Sequence, residues 1–389
     1  MTAPVTELRT TAGIRSRARL LLERARRGES PWFTVDDGAL PAAAAAVAEL
    51  TAQRFPDLQV PFHSRWRHFE AGGVDRKGEL DRLLGAGSDA ERARAYVDLT
   101  VVSVLLDAGS GPHWSYREPD TAQVFTRSEG LGVASFHAFT AGVFSSDPGR
   151  PLQADAEGLA GLDTDQLAQA FQVTPDNPLV GVQSRADLLR RLGAAVDRRP
   201  GTLFDALTAD GAAVTAHGIL TALLESLSGI WLSDSIIDGV PLGDCWRHPA
   251  VPGGWMPFHK LSQWLTYSLL EPLQWAGVEV SGLDELTGLP EYRNGGLFLD
   301  TGVLTLRNPG WSDETWAVSD ELVVEWRAVT VALIDELAPL VRGHLGVDAA
   351  ALPLACILEG GTWAAGRRLA AQLRDGLPPL SILSDGTVF

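Results

Sequence analysis

The longest clean helical pattern of the sequence is Ser319-Asp-Glu-Leu-Val-Val-Glu-Trp-Arg-Ala-Val-Thr-Val-Ala-Leu-Ile-Asp-Glu-Leu337. Its apolar residues recur at the three- and four-residue spacing that places side chains on one face of an α-helix. They are Leu322, Val323, Trp326, Val329, Leu333, Ile334 and Leu337. Ser319 precedes them as a candidate cap, so a long helix is predicted here.

Helical periodicity also extends over residues 14–25, 184–196, 214–232, 258–275 and 362–373. Residues 96–106 are apolar and β-branched, which indicates a buried helix and leaves a strand possible. Strand signals are few: residues 32–35, residues 382–389, and a predicted hairpin over 297–306 with Asp300-Thr301-Gly302 at its turn. We therefore predict a mainly α, bundle-like globular fold with a small β-hairpin element.

A length of 389 residues fits one large domain or two to three ordinary ones. Pro, Gly, Asp and Ser gather at residues 145–161, which makes this stretch the softest boundary. We predict an N-terminal helical part over 1–150 and a C-terminal helical part with the small β element over 151–389. The two parts are expected to pack as one unit around a shared pocket.

The charge balance restricts the partners. The chain has 32 Lys plus Arg against 49 Asp plus Glu, a net charge of −17, which repels nucleic-acid phosphates and anionic lipid heads. We predict no nucleic-acid partner and no membrane partner, and the oligomeric state stays open. Two cysteines and no signal-peptide pattern favour a reducing, cytoplasmic location.

Several catalytic signatures are absent from the sequence: Walker A, Gly-x-Gly-x-x-Gly, Gly-x-Ser-x-Gly and His-Glu-x-x-His. Their absence argues against nucleotide-triphosphate chemistry, dinucleotide redox and α/β-hydrolase acyl transfer. Only two of the 32 basic residues are lysines, Lys77 and Lys260. Codon bias accounts for the arginines. Lys260 is unusual as a lysine in a chain whose basic residues are almost all arginine.

Aromatic residues alternate with arginines in residues 64–70 and 113–118. Flat rings and guanidinium forks suit a planar or sugar-like ligand, although an aromatic plug at a helix end explains the same pattern. Trp114, Tyr116 and Arg117 are candidate binding residues. Glu129 joins them, because the glycines around it let the backbone approach a ligand, although a plain turn explains these glycines equally well.

The helix predicted over residues 258–275 carries an unusual polar stripe. His259, Gln263 and Tyr267 follow at helical spacing, and Lys260 and Trp264 line the adjoining face. Solvent-facing helices are normally rich in Glu, Lys and Arg, whereas this stripe carries amide, hydroxyl and imidazole groups. The composition indicates a pocket wall.

Asp234, Asp238 and Asp244 stand close to apolar residues, and a partly buried carboxylate can have its pKa raised and serve as an acid or base. Cys245, His248 and His259 could be drawn as metal ligands. Their Cys-x2-His-x10-His spacing matches no standard zinc module, so no metal and no cofactor are predicted.

Two glycine pairs complete the set of motifs. Arg293 and Asp300 flank one pair, and Glu359 precedes Gly360-Gly361. The second pair could offer free N–H groups to an anion at a helix start. Ordinary turn chemistry explains both pairs equally well.

Four motifs together resemble the fungal and bacterial uracil-catabolism protein family. They are residues 257–272, 290–296, 358–367 and 384–389, and the resemblance runs from about residue 10 to the C-terminus. It implies a pathway in which uracil is ribosylated and its ring is opened by an enzyme like GTP cyclohydrolase II. Ribosylurea or its phosphate must then release urea, so the resemblance implies N-glycosidic cleavage as the vacant step.

Residues 98–114 and the Tyr-Arg stretch are more distantly similar to the queuosine-nucleotide glycosidase family. That family is all-helical and related to helix-hairpin-helix DNA glycosylases. The likeness implies the same reaction class.

Cleavage of an N-ribosyl bond passes through an oxocarbenium-like state that needs a carboxylate. Asp234, Asp300 and Asp238 are the predicted catalytic carboxylates, with Asp234 first. The predicted binding residues for a nucleoside-like small molecule are Trp114, Tyr116, Arg117, Glu129, His259, Lys260, Gln263, Trp264, Tyr267, Arg293 and Glu359. The alternatives are a non-catalytic binding or regulatory protein for a pyrimidine intermediate, or a metal-dependent amidohydrolase-type enzyme.

Overall fold

The computed structural model describes residues 3–231 and 235–383, and helices dominate it. The helices are α1 (Ala3–Leu8), α2 (Thr11–Arg26), α3 (Leu40–Arg54), α4 (Trp66–Phe69), α5 (Arg76–Leu84), α6 (Asp89–Leu105), α7 (Arg127–Thr140), α8 (Ala156–Ala160), α9 (Thr164–Ala170), α10 (Val182–Ala195), α11 (Thr202–Leu207), α12 (Ala216–Leu227), α13 (Lys260–Trp275), α14 (Tyr292–Asp300), α15 (Glu321–Leu345), α16 (Leu354–Ile357) and α17 (Trp363–Arg374). The mainly α prediction is confirmed.

The strands are two or three residues long and form two-stranded pairs. They are β1 (Phe33–Val35), β2 (Ser115–Arg117), β3 (Val124–Thr126), β4 (Ala213–Thr215), β5 (Ile236–Ile237), β6 (Val240–Pro241), β7 (Cys245–Arg247), β8 (Trp255–Pro257), β9 (Glu279–Ser281), β10 (Leu304–Leu306), β11 (Thr315–Ala317) and β12 (Ser381–Leu383). The pairs β1–β10, β2–β3, β5–β6 and β7–β8 are antiparallel, whereas β4–β9 and β11–β12 are parallel.

The described residues form two compact units, each discontinuous in sequence. The first unit contains the described residues of Met1–His63, Ser233–Gln263 and Gly282–Leu383; the second contains those of Ser64–Leu232 and Trp264–Ser281. The division of the chain at residue 150 and the shared pocket stay predictions.

Helix α15 organises the first unit by packing against α2, α3 and α14. Every apolar residue of the predicted stripe is buried, so the helix prediction is confirmed. The helix begins after Asp320, one residue beyond the predicted cap. In the second unit, α6 packs against α7 and α11, and residues 96–105 are buried throughout. This apolar, β-branched stretch is thus a helix.

The predicted hairpin over 297–306 is wrong. Residues 292–300 form α14, the chain turns at Gly302 with φ +77°, and β10 pairs instead with β1. Glu291 caps α14 by accepting from the backbone N–H groups of Arg293 and Asn294. This cap stabilises the start of the helix. The alternating apolar residues of the stretch had instead indicated a strand.

Gly360 and Gly361 lie in a π-helical turn (Leu358–Thr362) that joins α16 to α17 without a break. A Cβ on Gly361 would lie 2.5 Å from Val47 Cγ1, so the glycines allow α3 to approach closely. The predicted anion site is wrong, because a turn inside a continuous helical segment has no free helix start. Within the described residues, no helix is both long enough and apolar enough to cross a membrane.

Candidate active site

A buried ion pair in the first unit ties three separate segments together. Arg327 on α15 donates from Nη1 and Nη2 to the two carboxylate oxygens of Asp244, at 2.8 Å each. The same carboxylate accepts from the Lys260 backbone N–H at 2.9 Å and from Trp246 Nε1 at 2.6 Å. The carbonyl of Asp244 accepts from the N–H groups of Phe258 and His259. Asp244 therefore fixes the start of α13.

The Asp244 carboxylate stays ionised despite its position. Burial raises its pKa, but the charge and hydrogen bonds of Arg327 outweigh that effect and bring the pKa to about 2. A buried charge needs such a partner, because desolvation of an unpaired carboxylate is very costly.

Arg327 also reaches the start of α14. Its Nε donates to the carbonyl of Pro290 at 3.2 Å, and its guanidinium lies 4.1 Å from the centre of the Phe258 ring. Arg327 thus binds both Pro290, which precedes Glu291, and the Asp244 carboxylate, which accepts from the Lys260 N–H. We name Asp244, Lys260, Glu291 and Arg327 the Lys260–Glu291 cluster.

Glu291 is the carboxylate of this cluster that suits acid–base chemistry. Its oxygens accept from the backbone N–H groups of Arg293 and Asn294, at 2.6 Å each. Burial raises the pKa of Glu291 above the usual range, against the lowering effects of those N–H groups and of the Lys260 and Arg293 charges. The residue as a whole is intermediate between buried and exposed.

Asn294 provides an unsatisfied acceptor in the first turn of α14. Its Nδ2 donates to the Leu289 carbonyl at 3.0 Å, whereas its buried Oδ1 has no hydrogen-bond partner among the described residues. A buried acceptor without a partner costs free energy. An N–H group of a ligand would satisfy it.

Polar side chains at the start of α13 form hydrogen bonds with other segments of the protein. His259 Nε2 lies 2.8 Å from the Leu8 carbonyl, and burial lowers the pKa of His259. Gln263 accepts from the Thr287 N–H at 2.9 Å and donates to the Phe258 carbonyl at 3.0 Å. These two side chains tie loops to the helix, and their predicted role in ligand binding stays a prediction.

In the second unit, Trp264 and Glu129 are brought together around Arg65. The Arg65 guanidinium lies 5.6 Å from the centre of the Trp264 ring and binds Asp107 at 2.9 Å. The charge of Glu129 acts on the same guanidinium. Tyr267 is fully buried in this unit. The sequence predicted Trp264, Glu129 and Tyr267 as binding residues, and Arg65 lies in the 64–70 stretch where aromatic residues alternate with arginines.

The predicted cluster at residues 113–118 separates into different environments. Trp114 is buried and donates to the Phe171 carbonyl at 3.0 Å, and Tyr116 stacks on His137 with ring centres 6.0 Å apart. Arg117 is exposed. Glu118, beside them, pairs with Arg76 at 2.7 Å. The two rings thus support the core.

Glu359 and Arg293 also have partners within the first unit. Glu359 accepts from Arg54 at 3.1 Å and lies 2.9 Å from His63 Nδ1. Burial raises the pKa of Glu359, but the hydrogen bonds and charges of His63 and Arg54 hold it below the usual range. Arg293 donates to the Gly376 carbonyl at 3.2 Å and lies over the Tyr292 ring at 4.7 Å.

The predicted catalytic carboxylates lie in different places. Asp300 is buried at the end of α14 and accepts from Arg374 at 2.7 Å. Asp238 is exposed in the turn between β5 and β6, where Asp238 and Gly239 have φ values of +50° and +78°. Asp-Gly is favoured in such two-residue turns, so the turn alone explains why an aspartate stands at position 238. Asp234 lies outside the described residues.

The residues drawn as metal ligands have other contacts. His248 Nε2 lies 3.3 Å from Glu325, and burial raises the pKa of the Cys245 thiol. In the part of the chain that the structure describes, no group of three or more His, Cys, Asp or Glu side chains is placed to hold a metal ion.

The sequence reasoning did not single out Glu291, Asn294 or Arg327. Two signals could have found them. Glu291 and Asn294 stand in the 290–296 motif, and Arg327 is a charged residue within a mostly apolar helical stretch. A charge in such a position needs a buried partner.

Comparison with known proteins adds to this geometry. Residues 7–389 match the family model described as "Protein of unknown function (DUF1688)". The chain is 40% identical over 401 residues to "Protein urg3" of Schizosaccharomyces pombe, covering 100% of both chains. It is 39% identical over 377 residues to "Uracil catabolism protein 4" of Lachancea kluyveri, covering 85% of each.

Proposed function

The chain belongs to the DUF1688 family, and from this premise we propose that it acts in pyrimidine catabolism as an N-ribosyl hydrolase. The name of the Lachancea kluyveri relative supports the pathway. The proposed substrate is ribosylurea or its 5′-phosphate, and the products are urea and ribose or ribose 5-phosphate.

The Glu291 carboxylate, which caps α14 and on which the charge of Lys260 acts, carries the proposal. A carboxylate whose pKa is raised by burial, in a residue that is not fully buried, suits acid–base chemistry near neutral pH. Lys260 is one of two lysines in a chain that otherwise uses arginine. An ammonium can give up its proton far more readily than a guanidinium, so lysine suits a residue that transfers one.

The reaction follows from these two groups. Glu291 takes a proton from water as the water oxygen bonds to the anomeric carbon. The bond from that carbon to the urea nitrogen breaks, its electron pair stays on the nitrogen, and the Lys260 ammonium protonates it. The Glu291 carboxylate also stabilises the positive charge that develops on the sugar. Transfer of the proton from Glu291 to Lys260 restores both groups.

Asn294 and Asp244 support this chemistry from their positions. The Asn294 Oδ1 acceptor fits an N–H of the ureido group. Asp244 and Arg327 hold the starts of α13 and α14, which carry the acid and the base. Preorganised groups of this kind need no rearrangement during the reaction.

The test is urea release from ribosylurea and from its 5′-phosphate by the wild type and by Glu291→Gln. Glutamine keeps one of the two oxygens that cap α14 and loses the charge, so we expect turnover to fall by roughly 10²–10⁴. Loss of the second capping bond should lower stability by about 0.5–2 kcal/mol, so turnover is compared per folded molecule. Glu285→Gln, at an exposed glutamate six residues earlier, is the matched control. Asp234→Asn, Asp238→Asn and Asp300→Asn are assayed beside it.

Wild-type protein that binds ribosylurea without releasing urea would overturn the hydrolase and favour a binding protein. Full activity of Glu291→Gln, with loss in one aspartate variant, would move the catalytic role to that aspartate.

A further inference from the structure

A pocket of about 290 Å³ lies against α5, α6 and the last turn of α13 in the second unit. Its lining residues are Lys77, Asp81, Asp89, Arg92, Tyr96, Trp275 and Ala276. None of them belongs to the Lys260–Glu291 cluster. The volume is at the lower end for ligand sites, so the ligand must be small.

Trp275 gives the pocket a rigid flat wall. Its ring packs edge-on against Trp66 and Tyr96, with ring centres 4.7 Å and 5.5 Å away. Even so, 39% of its surface remains exposed. The Lys77 ammonium lies 4.9 Å from the centre of the same ring. These contacts fix the ring, and a ligand can reach only its exposed part.

The charges around the ring balance one another. Lys77 Nζ lies 2.7 Å from Asp81 Oδ2, and the Tyr96 hydroxyl also donates to Asp81. Burial raises the pKa of Asp81, but the hydrogen bonds from Lys77 and Tyr96 hold it below the usual range, so Asp81 stays an acceptor at neutral pH. Arg92 brings a guanidinium that already donates to the carbonyls of Gly85 and Gly87, and Asp89 brings an exposed carboxylate.

We propose that this pocket binds a neutral, polyhydroxylated ligand of about pentose size. One face of the sugar stacks on Trp275, and its hydroxyls bond to Asp81, Asp89 and Arg92. Two acidic and two basic groups give no net attraction for an anion or a cation. Donors and acceptors side by side suit adjacent hydroxyls, because each hydroxyl both donates and accepts. The inference does not depend on the proposed reaction, since the two sites share no residue.

The test is titration of the full chain by calorimetry and saturation-transfer NMR with methyl β-D-ribofuranoside, uridine and ribose 5-phosphate. We expect saturable binding of the methyl riboside, weakened at least about fivefold by Asp89→Ala, since a hydrogen bond to a charged group is lost. Asp165→Ala is the matched control, because Asp165 is also an exposed aspartate in the first turn of a helix, α9. Trp275→Leu should abolish binding, and circular dichroism checks its fold.

Tighter binding of uridine than of the methyl riboside would identify the sugar as part of a nucleoside, and equal binding would identify a free sugar. Absence of saturable binding, equal affinity of Asp89→Ala and wild type, or much tighter binding of ribose 5-phosphate would overturn the proposal. Urea release by Glu291→Gln is independent of all these outcomes.

Discussion

Arg327 and Asp244 are 83 residues apart in sequence, and each guanidinium Nη lies 2.8 Å from one carboxylate oxygen. Both side chains are buried in the first unit. Arg327 also donates to the carbonyl of Pro290, the residue before Glu291. Asp244 accepts from the backbone N–H of Lys260, the first residue of α13. The pair therefore positions the proposed acid and base.

Asp244→Asn should destabilise the protein by about 3–5 kcal/mol, because it leaves the Arg327 guanidinium buried without its counter-charge. Denaturant unfolding measures the change. The double variant Asp244→Leu/Arg327→Met should recover part of the loss, since no buried charge remains. Glu29→Gln, which breaks the exposed pair with Arg27, should leave stability nearly unchanged. Equal effects of Asp244→Asn and Glu29→Gln would contradict a role for burial.

The same pair predicts an acid-sensitive contribution to stability. The folded pKa of Asp244, about 2, lies below its value of 3.8 in an unfolded chain. A lowered folded pKa stabilises the protein above the unfolded value and loses that effect as pH falls toward the folded one. The contribution is about 2 kcal/mol. The unfolding free energies of wild type and of Asp244→Leu/Arg327→Met should therefore converge as pH falls from about 4 toward 2. A constant difference between the two free energies over this range would contradict the lowered pKa of Asp244.

Asp300→Asn distinguishes a structural aspartate from a catalytic one. The carboxylate accepts from Arg374 at 2.7 Å and is 4% exposed, so its neutralisation should lower the melting temperature. Urea release per folded molecule should be preserved. Lost turnover at an unchanged melting temperature would instead support the catalytic role predicted from the sequence.

Gly361→Ala should destabilise the first unit by roughly 1–3 kcal/mol through overpacking. Its new methyl group would meet Val47 Cγ1 at 2.5 Å and the Val47 carbonyl at 2.8 Å. Gly343→Ala in α15 is the control, because nothing lies within 4 Å of the added Cβ. That variant should be neutral or stabilising by up to about 1 kcal/mol, as alanine favours helices. Thermal unfolding measures both variants. Equal changes in stability would contradict the close packing of α3 against Gly361.

The sequence by itself determined the helices with long apolar stripes. The stripe from Leu322 to Leu337 predicts α15, because helical periodicity is a local property that a buried face preserves. Residues 96–105 were ambiguous between helix and strand, since a segment buried on all sides has no polar face to reveal its period. The hairpin at 297–306 failed for a related reason: the cap that Glu291 provides outweighed the local alternation.

Only the tertiary structure decided which polar residues have partners inside the protein. His259 and Gln263 look like a pocket wall in sequence, but Leu8 and Thr287 satisfy them from distant segments. Glu291 looks like a turn residue until Arg327 joins its segment to Asp244. The pKa of a carboxylate depends on burial and on charges within a few ångströms, and these neighbours come from chain positions that no local pattern relates.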